Sequence, residues 1–231
     1  MDLKEGDFFL IDKPYTWTSF QVVKKMKYIL SKHTGEKKFK IGHAGTLDPL
    51  ATGLLIICVG KYTKRIEEFQ SFRKEYTGTF TLGATTPSYD REQPVNATFP
   101  TEHITEELLC STTKSFLGKQ KQVPPLFSAI KVNGKRAYSY VKQGLTPEIK
   151  EKDIEIFDFE LSNINIPKVD FRIACSKGTY IRSIARDFGL ELQSGAYLSK
   201  LCRTKIGDYL LEDAISLEEF EKQFPPIKEE I

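Results

Sequence analysis

IGHAGTLDPLATGLL, residues 41–55, runs directly into LLIICVG, residues 54–60. The second stretch is a continuous apolar run of the length and composition of a central strand, closed by Gly60. The first is a loop: Gly42, Gly45 and Gly53 permit tight turns and close approach by a ligand backbone. Asp48 precedes Pro49, which disfavours helical backbone at position 48. Taken alone, Asp-Pro reads first as structure, either a helix N-cap followed by its first residue or a turn. An acid in a glycine-rich loop before an apolar strand, with His43 nearby, also suits chemistry.

Elements of both kinds surround this segment. FFLIDKP (8–14) predicts a short buried strand stopped by Pro14, and SFQVVKKMKYIL (19–30) a helix with Ser19 as N-cap. SKHTGEKKFK (31–40) is a loop by composition. TKRIEEFQ (63–70) reads as helix, KEYTGTFTLG (74–83) as a half-buried strand and 84–100 as a long loop. TEELLCSTTKSFLG (105–118) predicts a helix capped by Thr105 and stopped at Gly118. Asn133-Gly134 signals a hairpin that leads into a helical stretch, RAYSYVKQG. DIEIFDFELSNINI (153–166) and VDFRIACS (169–176) alternate as antiparallel strands do. TYIRSIARDFGLEL (179–192) is an amphipathic helix, 196–211 one or two strands, and SLEEFEKQF (216–224) a terminal helix. Strands and helices mix without a βαβ repeat, so the expected class is α+β with a large mixed, mainly antiparallel sheet flanked by helices and loops.

The chain has 231 residues, 40% of them hydrophobic, enough for one domain with its own core. Residues 1–231 read as a single catalytic domain, with a basic insertion about 119–152 and an acidic tail about 208–231. No run of 18 apolar residues suggests a membrane span, and the N-terminus lacks signal-peptide layout. Cys58, Cys110, Cys175 and Cys202 form no CxxC pair, so neither zinc nor disulfides are expected, and a cytoplasmic location follows. The net charge is only +3, but residues 119–152 hold eight basic side chains against two acidic, and 172–205 seven against two. The tail, 206–231, reverses this with eight acidic residues against two lysines. Such blocks suit a polyanion-facing surface, although charge alone is more often ordinary solvated surface.

GHAGTLDPLATGLL resembles the catalytic loop of the TruB family of tRNA pseudouridine synthases. Four further segments resemble that family in order along the chain: LIDKP (10–14) with TSFQVV (18–23), KEYTGTFTLGATTPSYDREQPV (74–95), VPPLFSAIKVNGKRAY (123–138) and CSKGTYIRSIARDFGLELQSGAYLSKLCRTKIG (175–207). The resemblance covers about residues 8–210. It implies a pseudouridine-synthase-like fold and isomerisation of the T-loop uridine of tRNA, uridine-55, by base flipping, with no cofactor and no metal. It implies a partner, the T-arm of tRNA, for a protein expected to be a monomer and a short form without the family's C-terminal RNA-binding module. The same chemistry on another structured RNA, or RNA binding without catalysis, are the alternatives.

By the same resemblance Asp48 is the catalytic acid, Arg182 its cationic partner, and Tyr76 the ring that stacks on the base and assists at C5. Tyr180 and Leu201 line the base pocket, and His43 fills the gap the flipped base leaves. Lys13, Lys131, Arg203 and Lys205 are expected to reach phosphates. Each has a plainer reading: Tyr76 as a half-buried strand aromatic, Arg182 as a surface helical arginine, His43 as a structural loop histidine.

Overall fold

The structure is a computed structural model and describes residues 2–128, 130–132, 135–136, 140, 145 and 147–227. In chain order the elements are β1 (Phe8–Lys13), α1 (Ser19–Thr34), β2 (Ile41–His43), β3 (Ala51–Val59), a 3-10 turn (Gly60–Arg65), α2 (Ile66–Ser71) and β4 (Lys74–Leu82). β5 (Ala84–Thr85), β6 (Ala97–Thr98), α3 (Glu106–Ser115), β7 (Gly118–Gln122), β8 (Lys131–Val132) and β9 (Lys135–Arg136) follow. The chain continues through β10 (Lys152–Asn165), β11 (Lys168–Cys175), α4 (Ile181–Glu191), β12 (Ala196–Ile206), β13 (Tyr209–Leu210), a second 3-10 turn (Leu211–Asp213) and α5 (Leu217–Gln223). The class is α+β, and every strand pairing whose register is described is antiparallel. The chain divides into two compact units, Met1–Tyr76 with Cys202–Ile231, and Thr77–Leu201.

In the first unit β3 is central. It pairs with β1 from Phe8↔Cys58 to Lys13↔Gly53, and with β2 from Ile41↔Val59 to His43↔Ile57. Its apolar run lacks a period of two because both faces are covered. Leu55, Ile57 and Val59 pack with Val22, Met26, Ile29 and Leu30 of α1. Leu54, Ile56 and Cys58 pack with Ala44, Phe69 and Ile206. Gly53 has φ +103°, and a Cβ there would lie 2.4 Å from the Arg203 carbonyl oxygen, so only glycine lets β3 approach residues 202–206 of β12.

Two expectations for α1 are corrected. Thr18, not Ser19, is the N-cap, in a capping box with Gln21. The helix also continues through Thr34, to a left-handed Gly35 whose N–H bonds the Ser31 carbonyl, so the polar stretch after Leu30 is not all loop.

As far as Phe224, the described part of the acidic tail is packed. Ser216 caps α5 in a second capping box with Glu219. Phe220 is fully buried, edge-on to Phe9 at 5.0 Å and beside Phe224 at 4.7 Å, while Lys25 and Glu221 pair at 2.8 Å on the surface. Phe220→Ala is therefore expected to cost about 3 kcal/mol of unfolding free energy in urea titrations, and Glu221→Ala less than about 1 kcal/mol. Equal effects would show that the ion pair, not the rings, holds the tail.

The second unit holds residues 77–82 of β4 and 196–201 of β12, with strand order β12-β4-β11-β10-β7. Phe80 stacks on Phe171 at 4.1 Å, and Phe188 of α4, Phe159 and Phe116 complete an aromatic core. Thr105 caps α3 as expected, but the helix ends at Ser115 and Gly118 opens β7. β8 and β9 pair as a hairpin, Lys131↔Arg136 and Val132↔Lys135. Its Asn133-Gly134 turn, and most of the helical stretch expected after it, lie outside the described residues.

Candidate active site

Asp48 lies in the loop between β2 and β3, half-buried. Its carbonyl accepts from the Ala51 N–H at 3.1 Å, so Asp-Pro opens a turn into a strand and caps no helix. Three side chains from three elements fix this loop. The Ser19 hydroxyl, at the start of α1, accepts from the Leu47 N–H at 2.9 Å and donates to the Leu47 carbonyl at 3.2 Å. Arg203 of β12 donates from Nε to the Leu54 carbonyl at 2.8 Å and from Nη2 to that of Gly45 at 3.1 Å, joining the two ends of the loop. Lys13 of β1 donates from Nζ to Trp17 at 2.6 Å, Pro14 at 3.0 Å and Pro49 at 3.4 Å, all backbone carbonyls.

Lys13 and Arg203 do not meet the expectation of phosphate contact. Lys13 is 0% and Arg203 1% exposed, and their charged ends are spent on backbone carbonyls, which makes them supports of the Asp48 loop. Burial lowers the Lys13 ammonium to about 8, with the Asp48 carboxylate opposing the fall and Arg203 adding to it. Below that value both folded and unfolded chains hold the proton. From there to the unfolded lysine range near ~10.4 only the unfolded chain holds it, so stability is expected to rise with pH across that window. Urea midpoints of wild type and Lys13→Met from pH 7.5 to 10.5 check this; a rise unchanged in the variant would rule it out.

His43 ends β2, half-buried, and its Nδ1 is buried with no hydrogen-bond partner. Burial first, then the Arg203 charge, lowers its pKa from the usual histidine range, so it is a neutral ring at physiological pH. Asp48, His43, Lys13 and Arg203 thus share one neighbourhood in the first unit, where Tyr76 is 8% exposed on β4.

In the second unit Arg182 opens α4 and is only 3% exposed, so the surface reading is excluded. Its Nη1 donates to the carbonyls of Phe127 at 2.9 Å and Ser88 at 3.3 Å, and its Nε lies 3.6 Å from the Asp90 carboxylate. Asp90, 4% exposed, also accepts from the Ser88 hydroxyl at 2.6 Å and the Glu92 N–H at 2.9 Å. Sequence reading missed this acid; its signal was a Ser-Tyr-Asp run, where Ser and Asp side chains favour local hydrogen bonds, in a loop too long to be a plain connection. The Tyr180 backbone, at the N-cap of α4, is held on both sides by the Gln122 amide at 2.8 and 3.1 Å, and the Lys152 ammonium lies 5.8 Å from its ring centroid. Leu201 and Lys205 are half-buried on β12. Lys131 lies on β8, and its side chain is outside the described atoms.

The four cysteines are free, and burial pushes the Cys58 thiol up to about 11. Among the described residues no helix is long and apolar enough to cross a membrane.

Residues 31–181 match the TruB family pseudouridylate synthase (N terminal domain). The "tRNA pseudouridine synthase B" of Flavobacterium johnsoniae is 57% identical over 219 residues, covering 94% of this chain and 96% of its own length. The protein of the same name from Phocaeicola vulgatus is 54% identical over 220 residues, covering 95% and 94%. Among solved structures, a Cbf5–Nop10–Gar1 complex superposes with a TM-score of 0.72 at 28% identity, covering 95% of this chain and 54% of that one. The chain therefore spans about half the length of that structural relative. Fold, family match and relatives together place the chain among the pseudouridine synthases, a class of isomerases. Within that class, the chain belongs to the TruB family.

Proposed function

We propose that this protein converts the T-loop uridine of tRNA, position 55, to pseudouridine. What carries the reading is the Asp48 loop: a half-buried acid held by Arg203, Lys13 and Ser19, in a chain 57% identical to a tRNA pseudouridine synthase. The isomerisation breaks the bond from ribose C1′ to uracil N1, turns the base and joins C1′ to C5; the proton leaves C5 and N1 ends protonated. No electron or phosphoryl group is exchanged, so an acid, a cation and a ring suffice. Asp48 acts at the sugar, as carboxylates do at glycosidic carbons. Arg182 supports its charge, and Tyr76 holds the detached base.

The uridine must leave its stack to be reached, at a cost of a few kcal/mol that stacking on an aromatic ring offsets by about 1–3 kcal/mol. The neutral ring of His43 suits the vacated space better than a hydrated cation would. Tyr180 and Leu201 line the uracil pocket, and Lys131, on the hairpin within the basic segment 119–152, meets the T-arm backbone, which is read mainly by shape.

Tritium release from 5-tritiated uridine in a tRNA transcript tests the activity, and pseudouridine mapping of tRNA from a strain lacking the gene tests the position. Release, with loss of pseudouridine confined to the T-loop, is expected. Retained T-loop pseudouridine would refute the position, and RNA binding without release would mark a binder.

A further inference from the structure

The outer face of α1 carries Phe20, Lys24, Tyr28 and Lys32 at four-residue spacing, all exposed and in one line along the helix. Phe20 is 65% and Tyr28 58% exposed, and Tyr15, just ahead of the helix, 49%. The core does not need these rings, because Val22, Val23, Met26, Ile29 and Leu30 fill it from the opposite face. The Lys24 ammonium lies 5.6 Å from the Phe20 ring centroid. Residues 15–40 hold seven lysines against one acid, Glu36, a denser basic block than either noted from the sequence. Lys25 is paired with Glu221. Among the described residues no ion pair engages Lys24, Lys32, Lys37 or Lys38.

The position of this stripe is as informative as its composition. Ser19 binds both backbone groups of Leu47, one residue before Asp48, so the stripe begins beside the catalytic loop. It runs away from that loop for about 18 Å between Phe20 and Lys32. Hydrated lysines are depleted at protein–protein interfaces, and a two-fold contact between copies would set this cationic face against itself. Rings interleaved with lysines suit a nucleic-acid strand, whose phosphates take the ammonium groups and whose unpaired bases take the rings.

We propose that this face of α1 is a second RNA-binding surface, which grips the phosphate backbone flanking the target loop while Phe20 stacks on an unpaired base. The proposal rests on the reading of the protein as an RNA-modifying enzyme and extends it to how substrate is held outside the reaction centre.

Filter binding of the full-length protein to a tRNA transcript, between about 50 and 200 mM salt, tests it. Lys24→Gln with Lys32→Gln is expected to weaken binding about tenfold and to lower the log–log salt slope by about 1.5, and Phe20→Ala to weaken binding a further threefold or so. Melting temperature and single-turnover rate at saturating enzyme should hold. Unchanged affinity and slope would overturn the proposal. So would an equal loss in a control pair, Lys64→Gln on the first 3-10 turn with Lys114→Gln on α3, or a change of oligomeric state with RNA affinity intact. Wild-type turnover of the same transcript is measured separately. Its absence would overturn the function reading, while the binding comparison would still decide the surface.

Discussion

Asp48→Asn is expected to slow pseudouridine formation by about four orders of magnitude, close to 5.5 kcal/mol of activation free energy, while tRNA affinity stays within about threefold. The substitution keeps the shape of the side chain and removes its charge. Its backbone neighbours are tied down mainly by groups that do not depend on that charge: Leu47 by Ser19, and Gly45 and Leu54 by Arg203. The loop should therefore hold its conformation, and the loss should fall on the chemical step. Single-turnover tritium release, paired with filter binding, separates the two effects. A loss below tenfold, about 1.4 kcal/mol, would remove Asp48 from the reaction.

Arg182→Ala is expected to lower kcat about a thousandfold, about 4 kcal/mol, again with little change in tRNA affinity. The guanidinium is nearly inaccessible, fixed by two carbonyls and the buried carboxylate of Asp90, so it is poorly placed to bind RNA phosphate. Removing it leaves Asp90 with an uncompensated buried charge, and the fold itself could suffer. Arg182→Lys guards against that confusion, because it retains the charge but not the planar fork. Its melting temperature should fall less than that of the alanine variant, while its rate remains at least about tenfold below wild type. A defect confined to affinity, with kcat intact, would contradict the proposed partnership with the catalytic acid.

Much of this protein is legible from contiguous residues. The strand at 54–59, the alternation of 153–166 with 169–176, and the caps at Thr105 and Ser216 depend on neighbours within a few positions. Local signals also misled. Ser19 has the chemistry of a cap, but its hydroxyl is committed to Leu47, 28 positions away, and Thr18 caps the helix instead. The acidic composition of the tail left its packing open, because that packing depends on Phe220 meeting Phe9.

The same division runs through the site. That Asp48 stands in a turn-forming, glycine-rich loop ahead of a buried strand is written in fifteen consecutive residues. That Lys13 and Arg203 support this loop rather than meet phosphate was decided only by the tertiary structure. Arg203 reaches Leu54 across 149 positions and Gly45 across 158. A lysine or arginine in a sequence carries its charge with it, but whether that charge faces water or a backbone carbonyl depends on which distant segments fold over it. Burial is a property of those segments, and no local pattern encodes it.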